Sequence, residues 1–102
     1  MKSDIPYIYL FVRKDLSIPQ QIIQTAHAVD SIRGHGEDEI SHMVLIGAKD
    51  QAELHSFADH LSNSEIYHKM FFEPDVDAYT AIATRPLRGK ERDSLKHFQL
   101  MR

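Results

Sequence analysis

The feature that most constrains the fold is an unbroken apolar run at residues 7–12, YIYLFV. A strand with one face in water alternates apolar and polar residues, whereas a strand covered on both faces is apolar throughout. The run is short and rich in β-branched and aromatic residues, which favours a strand over a helix. We therefore predict a strand over residues 7–13 in the interior of a sheet that carries helices on both faces.

The size of the chain is that of one compact domain, which we predict over residues 1–102. Hydrophobic residues make up 42% of it and charged residues 26%, as in ordinary globular proteins. The absence of cysteine excludes disulfide scaffolds, zinc–thiolate sites and cysteine nucleophiles. No apolar run approaches the ~20 residues of a membrane span, and the N-terminus lacks the cleavage pattern of a signal peptide. We expect a cytoplasmic protein with no membrane partner.

Two amphipathic helices are predicted, over residues 18–33 and 51–62. Ser17 precedes Gln20 by three residues, which is the spacing of a capping box, and the second helix begins with a similar pair, Asp50 and Glu53. Each helix has an apolar stripe at helical spacing. The stripes are Ile22, Ile23, Ala26, Val29 and Ile32 in the first helix and Leu54, Phe57, Ala58 and Leu61 in the second.

Three further strands are predicted, over residues 41–47, 66–72 and 78–84. The last two are joined by too few residues for a crossover helix, so the last strand should be antiparallel. The predicted fold is a three-layer α/β/α arrangement with a mixed four-stranded sheet, followed by a short helix over residues 90–98. The predicted core comprises Leu10, Val12, Ile22, Ala26, Val44, Ile46, Leu54, Phe57, Leu61, Phe71, Ile82 and Ala83.

Positive charge is concentrated at the end of an otherwise acidic chain. The net charge is −3, but residues 85–102 contain six Lys and Arg against two acidic residues, which leaves −7 for the rest. Such a tail suits contact with the phosphates of a nucleic acid, and a solvated helix of mixed charge is the alternative.

The first helix also carries a polar stripe at Gln20, Gln24, His27 and Ser31. Amide, imidazole and hydroxyl groups suit the recognition of a polar ligand or of developing charge better than an ordinary solvated face of Lys and Glu would. The sequence has no glycine-rich phosphate loop, no GxSxG and no HExxH. We expect no cofactor and no metal site.

The segment VRKDLSIPQQIIQTAHA resembles the signature of the type II peptidyl-tRNA hydrolase family, the kind found in archaea and eukaryotes. In that family a strand ends in Arg-x-Asp-Leu and is followed by a helix with Gln-x-x-His-Ala. The segments FFEPD and TAIATRP are similar to the strand end that carries a functional aspartate in the family and to its final strand. The first segment matches the pattern at Arg13, Asp15, Leu16, Gln24, His27 and Ala28.

The resemblance implies hydrolysis of the ester between a peptide and the 3′ end of tRNA. Gln20 falls where the family has a lysine, and either Glu73 or Asp75 matches the aspartate. The implied catalytic set is Gln20, Gln24, His27, Asp75 and Thr80, and the implied RNA contacts are Arg13, Lys14, Arg85 and Arg88. A non-catalytic module that binds RNA or a protein partner is the alternative, and the sequence leaves a homodimer open.

The predicted topology places these residues at one edge of the sheet. The first and third strands run in the same direction, so their carboxyl ends, at Arg13 and near Glu73, meet on the same side. The first helix starts there after a short loop, and the last strand begins there. We therefore predict a single crevice that gathers two amides, an imidazole, a hydroxyl and a carboxylate beside the basic pair Arg13 and Lys14. These groups belong to Gln20, Gln24, His27, Thr80 and either Glu73 or Asp75.

Overall fold

The apolar run forms the inner strand β1, Tyr7–Arg13, of a mixed four-stranded sheet, as predicted. The computed structural model describes residues 5–32 and 41–101. Strand β1 is parallel to one neighbour and antiparallel to the other, and the last strand is antiparallel to both of its neighbours. The other strands are β2 His42–Ala48, β3 His68–Glu73 and β4 Ala78–Thr84, and the order in the sheet is β2-β1-β4-β3.

The two helices are α1, Ile18–Ile32, and α2, Gln51–Asn63. Their starts follow the predicted caps, since the Gln20 N–H donates to Ser17 Oγ at 3.3 Å and the Glu53 N–H to Asp50 Oδ1 at 2.9 Å. The predicted extension of α1 to residue 33 lies outside the described residues. None of the helices in the described ranges is long and apolar enough to cross a membrane.

The predicted helix over residues 90–98 is wrong in type and extent. The structure has a 3₁₀ helix at Gly89–Leu95 instead, with Leu95 buried. Phe98 follows it and packs edge-on against Phe11 and Phe57, with ring centroids 5.5 and 5.0 Å apart. The segment is therefore held by two apolar anchors, as expected, but is too short and too polar to continue as an α-helix.

Alternate residues of β1 belong to two separate cores. Tyr9 and Phe11 pack with α2 residues such as Leu54 and Leu61, whereas Ile8, Leu10 and Val12 pack on the side of Ala28 in α1. The two helices thus lie against opposite faces of the sheet, and each face of β1 is covered. This double coverage explains why the strand is apolar at every position.

The predicted core is wrong at Ile22 and Ala26, which are exposed; Ile22 has 66% of its surface accessible. Helix α1 packs over β1, β4 and β3 but not over β2. The side of the helix toward β2 therefore has no strand beneath it. The residues that α1 buries are Gln21, Gln24 and Ala28. Val44, Phe57 and Phe71 are partly buried, and the rest of the predicted core is buried: Leu10, Val12, Ile46, Leu54, Leu61, Ile82 and Ala83.

A β-bulge changes the direction of one side chain at the edge predicted for the site. Phe71 is opposite Ala81, but the next residue, Phe72, is opposite Tyr79, which leaves Thr80 as the extra residue on β4. Bulges redirect side chains and often occur beside functional sites. Because of the bulge, Thr80 and Ala81 both point toward α1, where Thr80 contacts Gln24.

Candidate functional site

A buried amide joins α1 to the two strands beneath it. Gln24 is 1% exposed, and its Oε1 accepts a hydrogen bond from the Thr80 hydroxyl at 2.9 Å. Its Nε2 donates to Glu73 Oε1 at 2.9 Å and to Gln20 Oε1 at 3.0 Å. The orientation of the amide is determined by these partners, because an ionised carboxylate only accepts. Thr80, Gln24 and Glu73 therefore form one directed chain of hydrogen bonds.

The Glu73 carboxylate is the outer end of this chain. The Gln24 donor lowers the pKa of Glu73, and so does the Asp75 backbone N–H, which donates to Glu73 Oε2 at 3.3 Å. The charge of the nearby His27 acts in the same direction and burial opposes it. The carboxylate is only partly covered, so it keeps free lone pairs on the solvent side. It remains ionised at neutral pH and can accept a hydrogen bond from a water molecule.

Gln20 is exposed and presents its amide nitrogen to solvent. Its carbonyl oxygen is occupied by Gln24, and within the described residues its Nε2 has no hydrogen-bond partner. The two N–H groups on this nitrogen therefore remain available for a ligand. They can donate to an oxygen that gains negative charge, although with less strength than a cation.

His27 lies one turn further along the same side of α1. Its ring is exposed and stacks on Phe71 of β3, with 4.8 Å between the ring centroids and 11° between the planes. Within residues 5–32 and 41–101, neither ring nitrogen is engaged in a hydrogen bond. His27 thus has its nitrogens free for a ligand.

Asp75, the aspartate placed in the predicted catalytic set, does not join the cluster through its side chain. It lies in the exposed turn after β3, and it contacts the cluster only through its backbone N–H. The strand ends at Glu73, which shares a face with Phe71 because side chains alternate along a strand. Of the two carboxylates that the sequence left open, Glu73 is the one beside Gln24.

The predicted basic residues lie at two opposite ends of the sheet. Arg13 and Lys14 are at the same edge as Glu73, whereas Arg85 and Arg88 flank Leu87, which pairs with Tyr7 at the start of β1. Seven residues of strand separate the two groups, a distance of about 20 Å. They do not form one continuous basic track.

Arg13 is tied into the fold. Its Nε and Nη2 donate to the two oxygens of Asp15 at 2.9 and 2.8 Å, and its Nη1 donates to the Tyr79 carbonyl at 3.2 Å. The hydrogen bond from Arg13 lowers the pKa of Asp15. The Arg-x-Asp pattern therefore joins the end of β1 to the start of β4, and of the pair only Lys14 is exposed.

Gln20, Gln24, His27 and Thr80 lie together between α1 and the carboxyl end of β3, but they do not all open onto one crevice, because Gln24 and Thr80 are buried and only Gln20 and His27 are exposed. Sequence reasoning missed the groups on β3 itself, Lys69 and Phe71, which share a face with Glu73. Their signal is simple alternation, since residues 69, 71 and 73 are two apart in one strand. In the described part of the chain, no group of three His, Asp or Glu side chains is arranged to hold a metal ion.

Comparisons with known proteins establish the fold alone. No known protein family matches the sequence, and no curated protein matches it either. Among solved structures, the chain is similar to a protein of unknown function from Agrobacterium tumefaciens strain C58, with a TM-score of 0.66 and 16% sequence identity. The similarity covers 95% of this chain and 98% of the other. At this level of identity, the two proteins share an arrangement of helices and strands across nearly their whole length.

Proposed function

We propose that this chain is a peptidyl-tRNA hydrolase-like enzyme that cleaves the ester between a peptide and the 3′-terminal ribose of tRNA. The resemblance of residues 12–28 to the type II family suggests the reaction. The observation that carries the proposal is the Thr80–Gln24–Glu73 chain of hydrogen bonds, which holds an ionised carboxylate at an open edge of the sheet. A cytoplasmic location follows from such a substrate.

Glu73 is the group that orients and activates the attacking water. Gln24 fixes one carboxylate oxygen and the Asp75 N–H approaches the other, so the remaining lone pairs have a defined direction. A pKa below the usual glutamate value keeps the base ionised, but it also weakens the pull on the proton of the water. We expect a functional but slow hydrolase.

Gln20 stabilises the developing oxyanion through its amide N–H groups. Gln24 holds both the Oε1 of Gln20 and the Glu73 carboxylate, which leaves Gln20 Nε2 free within the described part of the chain. Gln20 stands at the position where the resembled family has a lysine. Replacing an ammonium by an amide gives a weaker, uncharged donor, and loss of a single oxyanion donor typically costs ~10²–10³ in rate. Gln24 and Thr80 are too deeply buried to touch a substrate, so we assign them the role of positioning residues.

Cleavage of purified peptidyl-tRNA tests the proposal. We expect release of the peptide by the wild type and a loss of ~10²–10⁴ in kcat for Glu73→Gln, which keeps the shape of the side chain and removes the charge of the general base. Asp75→Asn is the matched control, because it makes the same chemical change two residues away on a side chain outside the cluster. The control should keep its activity.

The alternative is a non-catalytic module that binds RNA or a protein partner. The observation that favours this alternative is Gln20, an uncharged residue at the position where the resembled family has a lysine. If the wild type releases no peptide above the buffer rate but binds tRNA with an affinity that falls with salt, the enzyme proposal is wrong and the binding module replaces it.

A further inference from the structure

Strand β3 presents three different chemical groups in a row on the side of α1. Lys69 is opposite Ala83 and Phe71 is opposite Ala81, and both alanines belong to the core beneath α1. Glu73 continues the row and reaches Gln24. Alternate residues of a strand are about 6.6 Å apart, so the row runs about 13 Å from a cation, past an aromatic ring, to the carboxylate.

In the middle of this row, Phe71 stacks with His27, whose ring nitrogens make no hydrogen bond within the described residues. The rings of His27 and Phe71 are nearly parallel, at 11°, and the His27 ring is exposed on top of Phe71. An imidazole placed in this way has an open π face toward solvent. Unpaired bases of RNA stack on aromatic side chains such as Phe and His.

The cation in the row has no carboxylate partner in residues 5–32 and 41–101. Lys69 is exposed, and none of the ion pairs of the described chain includes it. Lys69 is two residues, or about 6.6 Å, along the strand from Phe71. At that distance its free ammonium group suits contact with a phosphate of the nucleotide backbone. The three groups therefore match a phosphate, a base and an ester in that order.

We propose that the His27–Phe71 stack is a platform for the unpaired base at the 3′ end of an RNA, with Lys69 contacting a neighbouring phosphate. The proposal deepens the proposed function and rests on it, because it names the part of the substrate that places the ester at Glu73. It assigns His27 to substrate binding through its ring face. The ligand class is single-stranded RNA with an intact terminal base.

The binding experiment uses a short fluorescent single-stranded RNA and the same RNA with an abasic 3′-terminal residue. We expect the wild-type protein to bind the intact RNA about 5- to 150-fold more tightly, which is the contribution of one stacked base. Because this comparison changes the RNA and not the protein, it does not depend on the folding of a variant. Equal affinity for the two RNAs would overturn the proposal.

Variants locate the effect on the protein. Phe71→Leu and His27→Leu should remove most of the preference for the intact RNA, whereas Phe72→Leu should keep it. Phe72 is the matched control, since it is the next residue of β3, is 42% exposed and packs on Tyr79 on the other face of the sheet. Lys69→Gln should reduce the salt dependence of binding by about one phosphate contact. If the preference persists in His27→Leu and is lost in Phe72→Leu, the base stacks on the opposite face of the sheet and the proposal is wrong.

Cleavage of intact and 3′-abasic peptidyl-RNA separates this proposal from the proposed function. If both substrates are cleaved with equal kcat/KM, the enzyme proposal stands and the platform is wrong. If neither is cleaved but the intact RNA still binds more tightly, the platform stands and the enzyme proposal is wrong. If only the intact substrate is cleaved efficiently, with the difference in KM, both are supported.

Discussion

The two flanks of helix α1 differ in polarity and in how far they are buried. The flank toward β3 is polar and is fixed by contacts: Gln24 is buried among three hydrogen bonds, and Gln20 and His27 lie beside it. The flank toward β2 is apolar and exposed. There Ile18 and Ile22 are 65% and 66% accessible, and Met43 and Leu45 of β2 face the same open space.

This difference is the reverse of what amphipathic periodicity predicts. Burial of an amide is unfavourable unless its polar atoms are paired, and Gln24 meets that condition with all of its main hydrogen-bonding capacity used. The isoleucines Ile18 and Ile22, by contrast, keep about two thirds of their surface in water. The polar flank is therefore the side of α1 that the fold depends on, so substitutions there should cost stability and substitutions on the apolar flank should cost little.

The largest expected effect on stability is that of Gln24→Met. The substitution keeps the volume of the side chain and removes every hydrogen bond, so the buried Thr80 hydroxyl loses its acceptor. An unsatisfied buried polar group costs about 1–3 kcal/mol of the free energy of unfolding. Denaturant unfolding measures it, and Gln20→Met, the same change at an exposed position of the same helix, is the control. Equal stability of the two variants would contradict the account.

The expected effect of Thr80→Val is smaller. The isosteric change removes the hydroxyl that donates to Gln24 Oε1 and leaves this buried oxygen without a donor, which costs about 1–3 kcal/mol. The total loss is smaller than for Gln24→Met because Gln24 keeps its two hydrogen bonds through Nε2. Thr80→Ser keeps the donor and should recover most of that loss, apart from the missing methyl group. Thermal unfolding of the two variants gives the comparison. If Ser is no better than Val, the hydroxyl does not support Gln24.

A third prediction concerns the titration of Glu73. Its pKa is lowered in the folded protein, chiefly by the Gln24 donor, so its contribution to stability is present above the unfolded pKa of about 4.3 and is lost as the pH falls through the lower folded value. The carboxyl chemical shift of Glu73, followed by NMR, should titrate below the usual glutamate range. In Gln24→Met the titration should move up toward it. A wild-type midpoint in the ordinary glutamate range would show that Gln24 does not stabilise the charged form of Glu73.

The smallest effect is expected on the apolar flank. Ile22→Ser replaces a side chain that is already two-thirds exposed, and surface substitutions of this kind usually change stability by less than about 0.5 kcal/mol. Chemical denaturation of the variant checks this. A loss of several kcal/mol would mean that Ile22 is covered in solution, and the contrast between the two flanks would then disappear.

The sequence predicts the elements of the fold well, because their signals are local. The run at residues 7–12 predicts an inner strand, and the pairs Ser17–Gln20 and Asp50–Glu53 predict where the helices begin. The stripe of Leu54, Ala58 and Leu61 predicts the buried face of α2 correctly. Each of these features depends on residues only a few positions apart.

The orientation of α1 and the details of the site depend on long-range pairing, and so they escape a local pattern. Strand β4 inserts between β1 and β3, which draws α1 away from β2 and leaves Ile22 uncovered. The bulge that turns Thr80 toward Gln24 follows from the register of β4 against β3. The choice between Glu73 and Asp75 depends on where β3 ends, and only the structure distinguishes the last strand residue from the turn.

The most direct test of the central claim, that Gln24 acts by holding Glu73, is a double-mutant cycle in peptidyl-tRNA cleavage. It compares kcat for the wild type, Gln24→Met, Glu73→Gln and the double variant, each verified as folded at the assay temperature. Gln24 acts mainly through the carboxylate but also holds Gln20 Oε1, so strong but incomplete coupling is expected. The double variant should be slower than Glu73→Gln by much less than the loss that Gln24→Met causes in the wild type. If the two losses multiply, Gln24 acts independently of Glu73, and the hydrogen-bonded chain is not what positions the catalytic group.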